Sequence, residues 1–94
     1  MVTPKHVDGE QSGRILLYTL STCGWCKKTK ALLAELGIAY EYIDVDTITS
    51  AEHAEVKTEI AKWNPACSFP TMLVDGEVCI VGFQEEKIRS MVGK

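Results

Sequence analysis

No stretch of the 94 residues approaches the roughly 18 consecutive apolar positions that a helix needs to cross a bilayer. The opening segment, MVTPKHVDGEQSG, also lacks the apolar core of a secretory leader. A soluble cytoplasmic protein with no membrane partner is therefore the expectation. Positive charge is not in excess either: 10 Lys and Arg stand against 13 Asp and Glu, for a net charge of -3. A general nucleic-acid surface needs clustered cations that acids do not offset, so nucleic acid is excluded as a partner. The one basic cluster, Lys27, Lys28 and Lys30, falls inside a predicted helix. Histidine is scarce, with only His6 and His53, and neither sits in a ligand motif or on an apolar stripe, so both read as solvated. No internal repeat or low-complexity segment is present.

What is there describes one small domain. Hydrophobic residues make up 46% and charged residues 24%, too apolar for a disordered chain. A single core of this size hides about 60 to 65% of the unfolded surface, which leaves no room for a second domain. Pro4, Gly9 and Gly13 among scattered polar residues predict a mobile tail over residues 1–13 and an ordered domain over 14–94, expected to be a monomer.

RILLYTL (14–20) is almost continuously apolar and predicts a central strand covered on both faces. From Cys26 to Leu36, Thr29, Leu32, Leu33 and Leu36 recur at i, i+3, i+4 and i+7, which predicts an amphipathic helix. Gly37 supplies its stop and Ile38 the apolar contact that follows. YEYIDVD (40–46) sets Tyr40 and Tyr42 against Ile43 and Val45 in a second strand, and strand, helix, strand in about 30 residues is a right-handed parallel crossover.

Thr49 and Glu52 form a capping-box pattern ahead of a helix with Val56, Ile60 and Trp63 on one face. NPACSFP (64–70) breaks that helix, and TMLVDGEVCIV (71–81) is a hairpin about Asp75-Gly76 that would pair Cys79 with Met72. A last helix over 84–92 opens with acids at its positive end. The order β-α-β-α-β-β-α gives an α/β fold with a four-stranded mixed sheet flanked by helices.

Four cysteines in a secreted chain would suggest a disulfide framework; in a reducing compartment they point to metal or redox chemistry. A zinc site would use two close pairs, and only Cys23 and Cys26 are close. That pair falls where the first strand gives way to the first helix. Residues three apart on a helical turn have Cβ atoms about 5 to 6 Å apart and a disulfide needs roughly 3.5 to 4.5 Å, so a slight tightening joins them. The first helical turn presents free N–H groups and a partial positive charge, which favours a thiolate. Cys23 sits at that mouth and reads as the attacking sulfur. Cys26, one turn deeper, reads as the resolving thiol. The competing reading makes both cysteines buried small hydrophobes.

With STCGWC after a strand, SFPT before a hairpin and VGF before the last helix, residues 14–93 resemble the glutaredoxin-like branch of the thioredoxin superfamily. The resemblance implies a thioredoxin-like fold and a thiol-disulfide oxidoreductase that reduces protein disulfides through its CGWC dithiol. It also implies a cis Pro70 facing the cysteine pair, with Phe69 offering main-chain groups to substrate and Trp25 and Gly82 at the exposed end of the groove. No cofactor is implied, and the electron source would be a reductase or glutathione. Two departures weaken glutathione: Leu20 stands where the family commonly has a lysine, and Val81-Gly82-Phe83-Gln84 replaces a Gly-Gly-Ser/Cys-Asp stretch. Glu85 and Glu86 would also repel its carboxylates. The Gly-Phe pair looks more like the glutaredoxin-like hydrogen donors of ribonucleotide reductase. Some relatives with Gly after the first cysteine bridge an iron-sulfur cluster, which makes cluster carriage the alternative that Gly24 permits. Cys67 would lie near the active face, Cys79 would be a buried strand thiol, and a bond between these two is not expected.

Overall fold

A computed structural model describes residues 4–10, 13–66 and 68–92 of the chain. The elements run β1 (Lys5–Val7), β2 (Ile15–Thr19), α1 (Gly24–Glu35), β3 (Tyr40–Asp44), α2 (Ser50–Trp63), β4 (Thr71–Val74), β5 (Val78–Val81) and α3 (Glu85–Val92). They form one mixed sheet of order β1-β3-β2-β4-β5. The continuously apolar β2 lies at its centre, parallel to β3 and antiparallel to β4.

Alternation along the strands sends side chains to two cores. Ile15, Leu17, Tyr40, Met72, Val74 and Ile80 meet Leu32 and Leu33 of α1 and Ile88 of α3. Tyr18, Ile43, Val45 and Leu73 meet Val56 and Ile60 of α2. Each Leu or Ile removed fully from water stabilises the fold by about 1.5 to 3 kcal/mol. The local signals act as anticipated at Gly37, whose φ of 69° suits glycine. The capping box of α2 is also complete, with Thr49 Oγ1 accepting the Glu52 N–H at 3.1 Å and Glu52 Oε1 accepting the Thr49 N–H at 3.2 Å.

Three expectations are corrected. Among the described residues the sheet has five strands rather than four, because Lys5–Val7, within the segment read as a mobile tail, pairs antiparallel with Tyr40–Tyr42. Gly9 continues the attachment: a Cβ there would lie 2.6 Å from the Ala39 nitrogen, and the Glu10 N–H donates to the Gly37 carbonyl at 2.7 Å. Among the described residues of this segment only Val7 packs on the core, so backbone pairing rather than an apolar pattern builds the strand.

The hairpin turns through three residues, Asp75 to Glu77, which sets Cys79 opposite Leu73 and Ile80 opposite Met72. That one-residue shift sends Cys79 to the α2 face and gives Ile80 to the other core. Asp75 adopts a φ of 56°, and its Oδ1 accepts the Arg14 N–H at 2.8 Å. Finally, Trp63 does not extend the buried stripe of α2; it is 37% exposed at the helix end.

Candidate active site

The site is assembled where β2 ends. Cys23 caps α1 in extended conformation, with φ -83° and ψ 119°, and its Sγ accepts the Cys26 N–H at 3.2 Å. The helix thus begins at Gly24, two residues earlier than its apolar periodicity indicates. No carboxylate occupies its first turn to compete for the positive end of the helix dipole. Cys23 is half-buried, whereas Cys26 has no exposed surface. Burial, and then the hydrogen bond with Cys23, push the Cys26 thiol up to about 12; the Leu20 backbone and the Lys30 charge pull the other way. One sulfur is approachable from solvent and the other waits behind it as a neutral thiol.

The second wall comes from the segment between α2 and β4. The Phe69–Pro70 peptide bond is cis. Asn64, buried at the C-cap of α2, holds this segment: its Nδ2 donates to Ser68 O at 3.2 Å and to Thr71 Oγ1 at 3.1 Å, while Thr71 Oγ1 donates to Ser68 O at 2.7 Å. The Gly82 N–H donates to Pro70 O at 2.8 Å, which joins the approach to α3 to the same wall. Gly82 has a φ of 81°, a conformation that favours glycine.

All four residues expected along the groove, Trp25, Phe69, Pro70 and Gly82, line one cleft of about 220 Å³, and Phe83 joins them. Phe83 stacks on Trp25 with centroids 5.9 Å apart, and Lys28 Nζ lies 4.6 Å from the Trp25 ring centroid. Trp25 is nonetheless 57% exposed, so its ring presents apolar surface to anything that approaches Cys23. Neither Phe83 nor Asn64 was singled out as a site residue from the sequence. The Gly-Phe pair ahead of α3 was the available signal for the first.

Phe69 also borders a second groove on the α2 side, shared with Val45, His53, Lys57, Ile60, Pro65 and Ala66. Cys79 is half-buried on that side of the sheet, its thiol pushed up by burial. Cys67 lies outside the described residues. Among the described residues, no helix is long and apolar enough to cross a membrane.

Comparison with known proteins agrees with this architecture. The glutaredoxin family model matches residues 15–79. The crystal structure of methanoredoxin from Methanosarcina acetivorans superposes with a TM-score of 0.88 at 44% identity, covering 92% of this chain and 90% of that one. The glutaredoxin from Methanosarcina mazei Go1 gives a TM-score of 0.89 at 44% identity, covering 97% of this chain and 88% of that one. An uncharacterized glutaredoxin-like 8.6 kDa protein in a rubredoxin operon of Clostridium pasteurianum is 31% identical over 80 residues, 85% of this chain and 99% of that protein. A cysteine-capped helix, a cis-proline wall and a family match over most of the sequence lead to one conclusion: this chain belongs to the glutaredoxin family and has its thioredoxin-like fold.

Proposed function

We propose that the protein reduces disulfides in other proteins, with Cys23 as nucleophile and Cys26 as resolving thiol. The observation that carries this reading is the contrast between the half-buried Cys23 sulfur, which accepts a helix N–H, and the wholly buried Cys26 behind it. In the first exchange the Cys23 thiolate attacks a substrate sulfur; the Cys23–substrate bond forms, the substrate disulfide breaks, and the departing sulfur takes up a proton. In the second, Cys26 loses its proton and attacks Cys23 Sγ, which releases the other substrate thiol and leaves the Cys23–Cys26 disulfide. A separate reductase supplies the two electrons that restore the dithiol. Trp25, Phe69, Pro70, Gly82 and Phe83 would hold the substrate chain, and their apolar character suits a peptide better than a small anionic thiol.

Glutathione is disfavoured as the electron source. Leu20 offers no cation, and the Gln84 amide is engaged with the Val81 carbonyl at 2.6 Å. Glu85 and Glu86 stand exposed at the start of α3. The test is turnover of a disulfide-bonded peptide with glutathione and its reductase, thioredoxin reductase, or a ferredoxin-linked reductase as rival donors. One of the latter two should sustain turnover that Cys23→Ser abolishes. Brisk turnover with glutathione alone would overturn the donor assignment. Stoichiometric iron with a visible absorbance band in anaerobically purified protein would replace the reductase reading with cluster carriage.

A further inference from the structure

Lys30 follows Cys26 by four positions on α1, so the two side chains project from the same stripe of the helix, with Cβ atoms about 5 to 6 Å apart. Unlike an ordinary surface lysine, Lys30 has a side chain only 24% exposed. Its Nζ lies 3.1 Å from Asp44 Oδ1, on a side chain 11% exposed, and 4.0 Å from the centroid of the Tyr42 ring. Asp44 Oδ1 also accepts from Thr19 Oγ1 at 2.5 Å, and Thr19 is fully buried. Residues of α1, β3 and β2 thus fix one ammonium group on the helix stripe that carries Cys26. An ion pair this sheltered contributes little net stability, because desolvation offsets most of the attraction.

The second exchange needs a charge where water is absent. Cys26 has no exposed surface, so the protein itself must solvate the anion that forms there. The groups that act on its ionisation are Cys23 and Lys30 of α1 and the Leu20 backbone; Asp44 and Tyr42 of β3 act through Lys30. In the reduced protein Cys23 opposes ionisation of Cys26. Once Cys23 is held in a mixed disulfide it carries no charge and that opposition ends, while Lys30 stays in place.

Resting on the oxidoreductase reading above, we infer that Lys30 is a positioning residue for the resolving step: its pinned ammonium favours the anionic Cys26 sulfur at the moment of the second exchange. That sulfur's proton passes to solvent, the Cys26–Cys23 bond forms, the Cys23–substrate bond breaks, and the released substrate sulfur is protonated. Asp44 holds the ammonium in position and at the same time dilutes its charge.

Single-turnover reduction of a peptide disulfide separates the first thiol released from the second. Lys30→Met should slow the second release about three- to tenfold near neutral pH, displace its pH profile to the alkaline side and leave the first release unchanged. Lys30→Arg should restore both rate and profile. In a Cys23→Ser background, the onset of Cys26 ionisation below about pH 10, where a lysine is still charged, followed by the Cys26 Cβ chemical shift, should move upward with Lys30→Met and downward with Asp44→Asn. Equal slowing of both releases would overturn the inference, as would a shift in the same direction for Lys30→Met and Asp44→Asn, the mark of shared structural damage. The Cys26 titration needs no turnover, so it decides the role of Lys30 even if the protein reduces no disulfide and the oxidoreductase reading fails.

Discussion

The two faces of the sheet are closed to different degrees. One lies under both α1 and α3, and Leu17, Leu33, Ile80 and Ile88 there have no exposed surface at all. The other lies under α2 alone; half-buried hydrophobics fringe both faces, but along this one runs an open groove bordered by Val45, Ile60 and Phe69. The difference shows how the site is divided. The tight face anchors α1, so the Cys23 cap and the Cys26 sulfur are fixed by a core with little freedom to relax. The looser face carries the segment with Phe69 and Pro70, which is held chiefly by hydrogen bonds from Asn64 and Thr71.

The contrast can be broken by paired truncations read through urea unfolding. Leu33→Ala on the closed face should cost about 4 to 5 kcal/mol, near the top of the range for a large-to-small core change. Ile60→Ala on the α2 face should cost only about 2 to 3 kcal/mol, because the open groove lets neighbours settle into the space. Equal losses would mean that the two faces are equally rigid. Asn64→Ala should cost about 1 to 3 kcal/mol by leaving Thr71 and the Ser68 carbonyl short of a partner. It should also slow the first thiol release more than Leu33→Ala does at matched stability, since Asn64 bonds directly to the segment that carries Pro70 and Leu33 does not.

A smaller effect should emerge only in alkali. The folded state raises the Cys26 thiol to about 12, above its unfolded value near 8.5, so the fold favours the protonated form. That contribution is complete below about pH 8.5 and is lost as pH rises towards 12. Reduced protein should therefore lose stability over this window. Cys26→Ala and the oxidised protein should each lack that component, while the buried tyrosines Tyr18 and Tyr40, both also raised by burial, continue to contribute in every form.

Much of the site was legible in local chemistry. The Cys23–Cys26 spacing at a strand-to-helix junction, the Thr49–Glu52 box and the Gly37 stop are signals a few residues long, and each acts within its own turn. The groove residues Trp25, Phe69, Pro70 and Gly82 came through family resemblance, since their meeting depends on contacts between distant segments. What stayed hidden is of that same non-local kind. Asn64 looks like an ordinary helix breaker until Ser68 and Thr71 close around it. Phe83 acquires a role only by stacking on Trp25, and Lys30 reads as one of three lysines in a basic cluster until Asp44 and Tyr42 meet its ammonium. The hairpin register failed for a different reason: Asp75-Gly76 marks a turn, but the added Glu77 shifts every side chain of β5 to the opposite face.

The short strand β1 has a consequence for solubility. It covers the outer side of β3, and its own outer side is brief and carries Lys5 and His6, both exposed, features that discourage another chain from adding on. A chain shortened to begin at Gly13 would bare the peptide groups of Tyr40–Tyr42 beside two aromatic rings. Light scattering should then record self-association that grows with concentration, even where the thiols remain fully active.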